Sequence, residues 1–142
     1  MQAILFYTQD ISFNIPQKTK LRNWITRVIL DNGHKTLKGI NYVFCSDAYL
    51  FELNCDYLNH HTYTDIITFN NSDHENEIEA DIFISIDRIR ENAEKWEVSF
   101  NDELNRVIIH GVLHLLGYKD KTKEDQLLMR EKENECLNLL LN

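Results

Sequence analysis

The chain has 142 residues, of which 43% are hydrophobic and 11% aromatic, and a formal net charge of −8. That length fits one domain over residues 1–142 with enough apolar content for a real core, and the acidity argues against tight, unaided binding to free nucleic acid, DNA included. Cys45, Cys55 and Cys136 are odd in number and widely spaced, which argues against a disulfide framework or thiolate zinc site and predicts free core thiols. The opening stretch Met1–Asp10 lacks a basic start and an apolar run, and no segment approaches the ~20 apolar residues of a membrane span, so a cytoplasmic protein with no membrane partner is expected.

Ala3–Tyr7 is a short apolar and aromatic run that predicts a strand. Leu21, Trp24, Ile25, Val28 and Ile29 recur at helical spacing, with Asn32-Gly33 as the stop. Ile40–Cys45 predicts a second strand, and Ser46-Asp47 caps a helix carrying Leu50, Leu53 and Tyr57. His60 and His61 follow in a polar connection. Asp65–Asn70 and Ile78–Ile86 predict two further strands, joined by the acidic loop Asn71–Glu77 in which His74 is solvated. Arg88–Trp96 is a helix. Ser99 to Asp102 and Thr122 to Asp125 each resemble a capping box, the first opening a helix packed through Leu104, Ile108, Val112 and Leu115, the second a last helix expected to bury Leu127, Leu128, Leu137 and Leu141. The order of elements predicts one α+β domain, a small mixed four-stranded sheet packed with about five helices.

The chemistry concentrates in Val107–Asp120, VIIHGVLHLLGYKD. Residues four apart share a helix face, so His110 and His114 can present two imidazoles to one ion. Gly117 stands where a left-handed cap would end the helix, and the returning chain can carry Asp120 toward both rings. Alone, the pair fits surface histidines equally well; with the glycine and the acid it reads H-x3-H-x2-G-x2-D. Two neutral imidazoles and a carboxylate suit Zn²⁺, one per chain, and other divalent transition metals also fit. Three protein ligands leave a position open for water, the mark of a catalytic site, where zinc lowers the water pKa toward roughly 7. Lys119, Lys121 and Lys123 flank the third ligand and can meet phosphates there or form a solvated loop.

The segment His110–Tyr118 closely resembles the signature of the YbeY family, single-strand-specific metallo-endoribonucleases. Leu53-Asn54, Tyr57 and Thr64–Phe69 are similar to the family's Leu-Asn, Tyr and Thr-Asp-Val-Leu-Ser-Phe blocks, and Asp81–Ser85 to its Gly-Asp-Ile strand, with Ala80 for the glycine. The resemblance implies a zincin-like fold and a role in 16S rRNA 3′-end maturation and late ribosome quality control. It further implies precursor rRNA, the small ribosomal subunit with its proteins, and the GTPase Era as partners. Such partners would answer the acidity, since a docked protein can deliver a substrate that this surface does not attract.

Two departures bear on activity. Asp120 stands where the family carries His, adding negative charge that makes bound water less acidic. Leu58 stands where the family carries an Arg able to neutralise phosphate charge; His60, His61 and Lys119 are candidates to substitute, and Asp65 is a candidate proton acceptor, though a strand-end Asp also serves as a structural cap. Two rival functions follow. One is a non-catalytic, metal-stabilised ribosome-assembly factor. The other is a zincin-like peptidase, which needs Glu immediately after the first His as general base, where this chain has Gly111.

Overall fold

A strand covered on both faces has no polar side to show, and the apolar runs around Ile40–Cys45 and Ile78–Ser85 take the two central places of the sheet. The computed structural model describes residues 3–33 and 35–141; Met1, Gln2, His34 and Asn142 fall outside the described residues. Its elements are β1 (Ile4–Gln9), α1 (Lys18–Asp31), β2 (Thr36–Cys45), α2 (Asp47–Leu58), β3 (Ile66–Asn70), β4 (Glu77–Ser85), α3 (Ile86–Trp96), α4 (Phe100–Leu115) and α5 (Lys123–Leu141). The expected α+β class with four strands and five helices is what forms. The sheet order is β1-β2-β4-β3, with β1, β2 and β4 parallel and β3 antiparallel to β4.

Alternate residues of the central strands supply the main core. Ile40, Tyr42 and Phe44 of β2 and Ile78, Ala80, Ile82 and Ile84 of β4 line the face that meets Trp24, Ile25, Val28 and Ile29 of α1 and Leu104, Ile108 and Val112 of α4. On the opposite face, Leu50 and Leu53 of α2 pack with Cys45, Ile67, Phe69 and Phe83. Polar groups taken inside find partners: the Tyr42 hydroxyl donates to the Ile108 carbonyl at 3.1 Å, and Trp24 Nε1–H donates to the Cys136 carbonyl at 2.7 Å, joining α1 to α5. Cys45 and Cys136 are buried free thiols, pushed up to about 12 and about 11 by burial, so they stay protonated and inert; Cys55 is only partly buried.

Two expectations change. Ile86 opens α3 instead of ending β4, because the Ser85 hydroxyl accepts from Arg88 N–H at 3.1 Å and caps the helix there. On α5, Leu127, Leu128 and Leu141 are 68%, 54% and 78% exposed and Leu137 is only partly buried, while Met129, Glu133 and Cys136 are buried. At about 100° per residue, Met129, Glu133 and Cys136 share one side, and Leu127 and Leu141 point well away from it.

α4 is the element against which the others are set: it touches β3, β4, α1, α3 and α5. Its approach to the sheet is closest at Gly111. A Cβ there would lie 3.1 Å from both Ile66 Cδ1 and Ile82 Cδ1, so the missing side chain lets the helix sit down on β3 and β4. No helix among the described residues is long and apolar enough to cross a membrane. Gly111→Glu would force a carboxylate between those isoleucines, at a cost on the order of 3 kcal/mol, and should lower Tm by roughly 10 °C. A thermal scan showing a Tm within about 2 °C of the parent would refute this packing.

Candidate metal centre

Ser99 starts α4 by accepting the Asp102 N–H at 3.1 Å, and the helix then carries His110 and His114 on one strip. Their rings meet edge to face, 4.6 Å between centroids and 83° between planes. The helix ends in a double-bonded left-handed cap: Gly117 has φ +106°, its N–H donates to the His114 carbonyl, and Tyr118 N–H donates to the Leu113 carbonyl, both at 3.0 Å. That turn sends the chain back over the strip. Thr122 and Asp125 then exchange reciprocal bonds, 3.0 and 3.3 Å, and Gln126 holds the Asp120 carbonyl at 3.1 Å.

The returning loop puts Asp120 Oδ2 3.4 Å from His110 Nε2 and 3.4 Å from His114 Nε2. One donor atom from each of the three side chains lies within 4.8 Å of the other two. Tetrahedral ligands about 2.05 Å from a zinc ion stand roughly 3.3 Å apart, so this spacing and this donor set fit a single borderline cation. The Asp120 side chain is 43% exposed and closes the group from the solvent side.

Behind His110 stands Glu133, on α5. His110 Nδ1 lies 2.7 Å from Glu133 Oε2, and the other carboxylate oxygen accepts Arg106 Nη1–H at 2.9 Å, while Arg106 Nη2–H donates to Asn134 at 2.9 Å. Burial opposes the charged form of both partners but does not prevail. The bonds from His110 and Arg106 hold Glu133 below the usual carboxylate range, and Glu133, with Asp120 and Asp65 adding their charge, raises His110. Asp65 is raised, chiefly by burial, with the His110 charge opposing.

The rings and Asp120 open onto a cleft of about 570 Å³ walled by β3, the end of α2 and the connection between them. Asp65, His60 and Leu58 line it; Lys119 and His61 are exposed but not part of its wall, and none of its lining residues is Lys or Arg. A smaller cavity of about 330 Å³ adjoins it through Asp65, Ile66, His110 and Asp120, and there Arg106 and Arg130 face Glu103 and Glu133. Gly111, the position at which a peptidase would carry its base, packs on the sheet and not into the cleft. Local sequence pattern does not mark Glu133 as part of the site. Its signal was a carboxylate in register with Met129 and Cys136, on the side of α5 that is otherwise apolar.

A mixed α+β domain with two histidines and an acid gathered beside an open cleft defines a class of small domains with a candidate metal site. Comparison narrows it: the sequence model of the family Endoribonuclease YbeY matches residues 5–141, and the chain belongs to that family. Proteins named Endoribonuclease YbeY from Flavobacterium psychrophilum and Cytophaga hutchinsonii are 51% and 45% identical to it, over 96% of both chains for the first and over 97% of this chain and 96% of the relative for the second. The solution structure of a Thermotoga maritima protein shares the fold, with TM-score 0.65 and 23% identity over 96% of this chain and 88% of that one.

Glu103, in the first turn of α4, is raised by burial and then by the charge of Asp65, against the opposing arginines Arg106 and Arg130. A carboxyl raised on folding contributes most below its unfolded pKa and loses that contribution as pH climbs through its folded pKa. Glu103→Gln should therefore raise the Tm of metal-free protein at pH 7.5 relative to the parent, with the gap closing toward pH 4. A gap independent of pH in paired thermal scans would show that Glu103 is not ionising against its surroundings.

Proposed function

We propose that the chain is a zinc-dependent, single-strand-specific endoribonuclease that acts in the cytoplasm on precursor rRNA, at 16S 3′-end maturation and in late ribosome quality control. The observation that carries this reading is the meeting of His110, His114 and Asp120 at the floor of the cleft, 3.4 Å from each ring nitrogen to one carboxylate oxygen. Those three side chains would hold one Zn²⁺. When bound, such an ion supplies a polarised water and charge stabilisation at the scissile phosphate. Membership of a family whose relatives bear the name endoribonuclease supplies the substrate class.

The chain's own residues do the rest. Asp65, beside His110 and raised by burial, suits accepting a proton from the attacking group, either water or a ribose 2′-hydroxyl. His60 stands on the cleft wall where the family's arginine would be useful, while Leu58 offers no charge. With no Lys or Arg in that wall and a net charge of −8, unaided RNA affinity is low. Small-subunit proteins or the GTPase Era would deliver the strand. Gly111, turned to the sheet, leaves the peptidase alternative without its base.

The test is elemental analysis joined to cleavage of a single-stranded RNA, its duplex, and casein. The parent should bind one zinc per chain and cut the single strand weakly, the duplex less and casein not at all. His110→Ala should abolish cleavage. Asp120→Ala should lose most metal and Asp120→His retain it, and equal zinc in those two variants would remove Asp120 from the ligand set. Bound zinc with no RNA cleavage, even on small-subunit particles, would favour the non-catalytic assembly factor; casein turnover abolished by His114→Ala would favour a peptidase. Products ending in a 3′-hydroxyl would indicate attack by water, and a cyclic phosphate attack by the 2′-hydroxyl.

A further inference from the structure

We infer that Glu133 is a positioning residue for the metal centre: it fixes the tautomer and the orientation of the His110 ring, so that Nε2 is the nitrogen left free toward Asp120 and the ion. This rests on the proposed metal reading but concerns a residue outside the ligand set, 23 positions from His110 and on a different helix.

A neutral imidazole carries one N–H, on either nitrogen, and only the bare nitrogen can ligate. An ionised carboxylate accepts and cannot donate. At 2.7 Å from Glu133 Oε2, Nδ1 must therefore be the protonated nitrogen of the neutral His110 ring, which leaves the lone pair on Nε2, the atom 3.4 Å from Asp120. Glu133 itself is held. Its side chain is 6% exposed, its second oxygen is taken by Arg106 at 2.9 Å, and Arg106 is anchored in turn by Asn134. The carboxylate thus has little freedom to swing away, and the ring it grips shares that rigidity. His114 has no side-chain hydrogen bond of this kind among the described residues. The two histidines are consequently unequal: His110 is set before any ligand arrives, and His114 is oriented by the metal and by Asp120. Carboxylate partners of ligating imidazoles commonly affect metal affinity by about 10–100-fold.

The experiment compares full-length parent, Glu133→Gln and Glu133→Ala at pH 8.5. Long-range ¹H–¹⁵N NMR on metal-free protein reads the tautomers of both rings; zinc competition against a chromogenic chelator reads affinity; circular dichroism confirms the fold. The parent should show His110 as the single Nδ1–H tautomer and His114 as a mixture. In Glu133→Ala, His110 should become a mixture while His114 is unchanged, and zinc affinity should fall by about 10–100-fold. Glu133→Gln, whose amide oxygen can still accept, should keep the tautomer, lose less affinity, and serve as the readout should the alanine variant unfold. A His110 tautomer mixture in the parent, or a folded Glu133→Ala with parental tautomers and affinity, would overturn the inference. A parent with the single tautomer but no zinc binding would overturn the metal reading and leave the tautomer assignment standing.

Discussion

From Arg106 to Leu115, α4 gives every side to the core except one strip, formed by Arg106, His110 and His114, and the structure depends on how that strip is satisfied. Polar groups set at the edge of a packed core must be bonded or they destabilise it. Here the bonding runs as a chain: Asn134 to Arg106, Arg106 to Glu133, Glu133 to His110, and Asp120 across both imidazoles. No buried side-chain nitrogen or oxygen among the described residues is left without a partner. One network thus joins α4, α5 and the loop between them, and the same groups that settle the polar strip gather the candidate metal donors.

This arrangement has a geometric precondition. The strip can face the cleft only if the helix lies close on β3 and β4, and Gly111 permits that approach because Ile66 and Ile82 occupy the space of its missing side chain. The helix end is equally constrained. Gly117 takes a backbone conformation that side chains resist, and the two bonds around it reverse the chain within three residues of Asp120. Lys35 Nζ donates to the Leu115 carbonyl at 2.9 Å, placing a cation at the negative end of α4.

The cleft is electrostatically unusual for a protein proposed to act on RNA. Its wall has histidine and aspartate but neither lysine nor arginine, and the nearby guanidinium groups, Arg106 and Arg130, face the carboxylates of the adjoining cavity. Under the proposed function, phosphate attraction would fall to a cation held by His110, His114 and Asp120 and to whatever presents the strand. On this reading a low intrinsic affinity for free RNA also restricts cleavage to strands delivered in place.

Periodicity and capping chemistry are local, so the strands, the helices and the His110, His114, Gly117, Asp120 set were legible along the chain: each depends on residues within about three turns of one another. The α5 stripe was misread because its four leucines suggested a core face by hydrophobicity alone, whereas rotation of the helix against α4 and α1 chose Met129, Glu133 and Cys136. The same rotation brought Glu133 under His110, which no spacing rule expresses, since the two sit on separate helices whose relative turn is decided by packing. Sheet order belongs to that second category as well. Local residue chemistry decided which elements form and which side chains can bind an ion; only the packing of distant segments decided which carboxylate stands behind the ring.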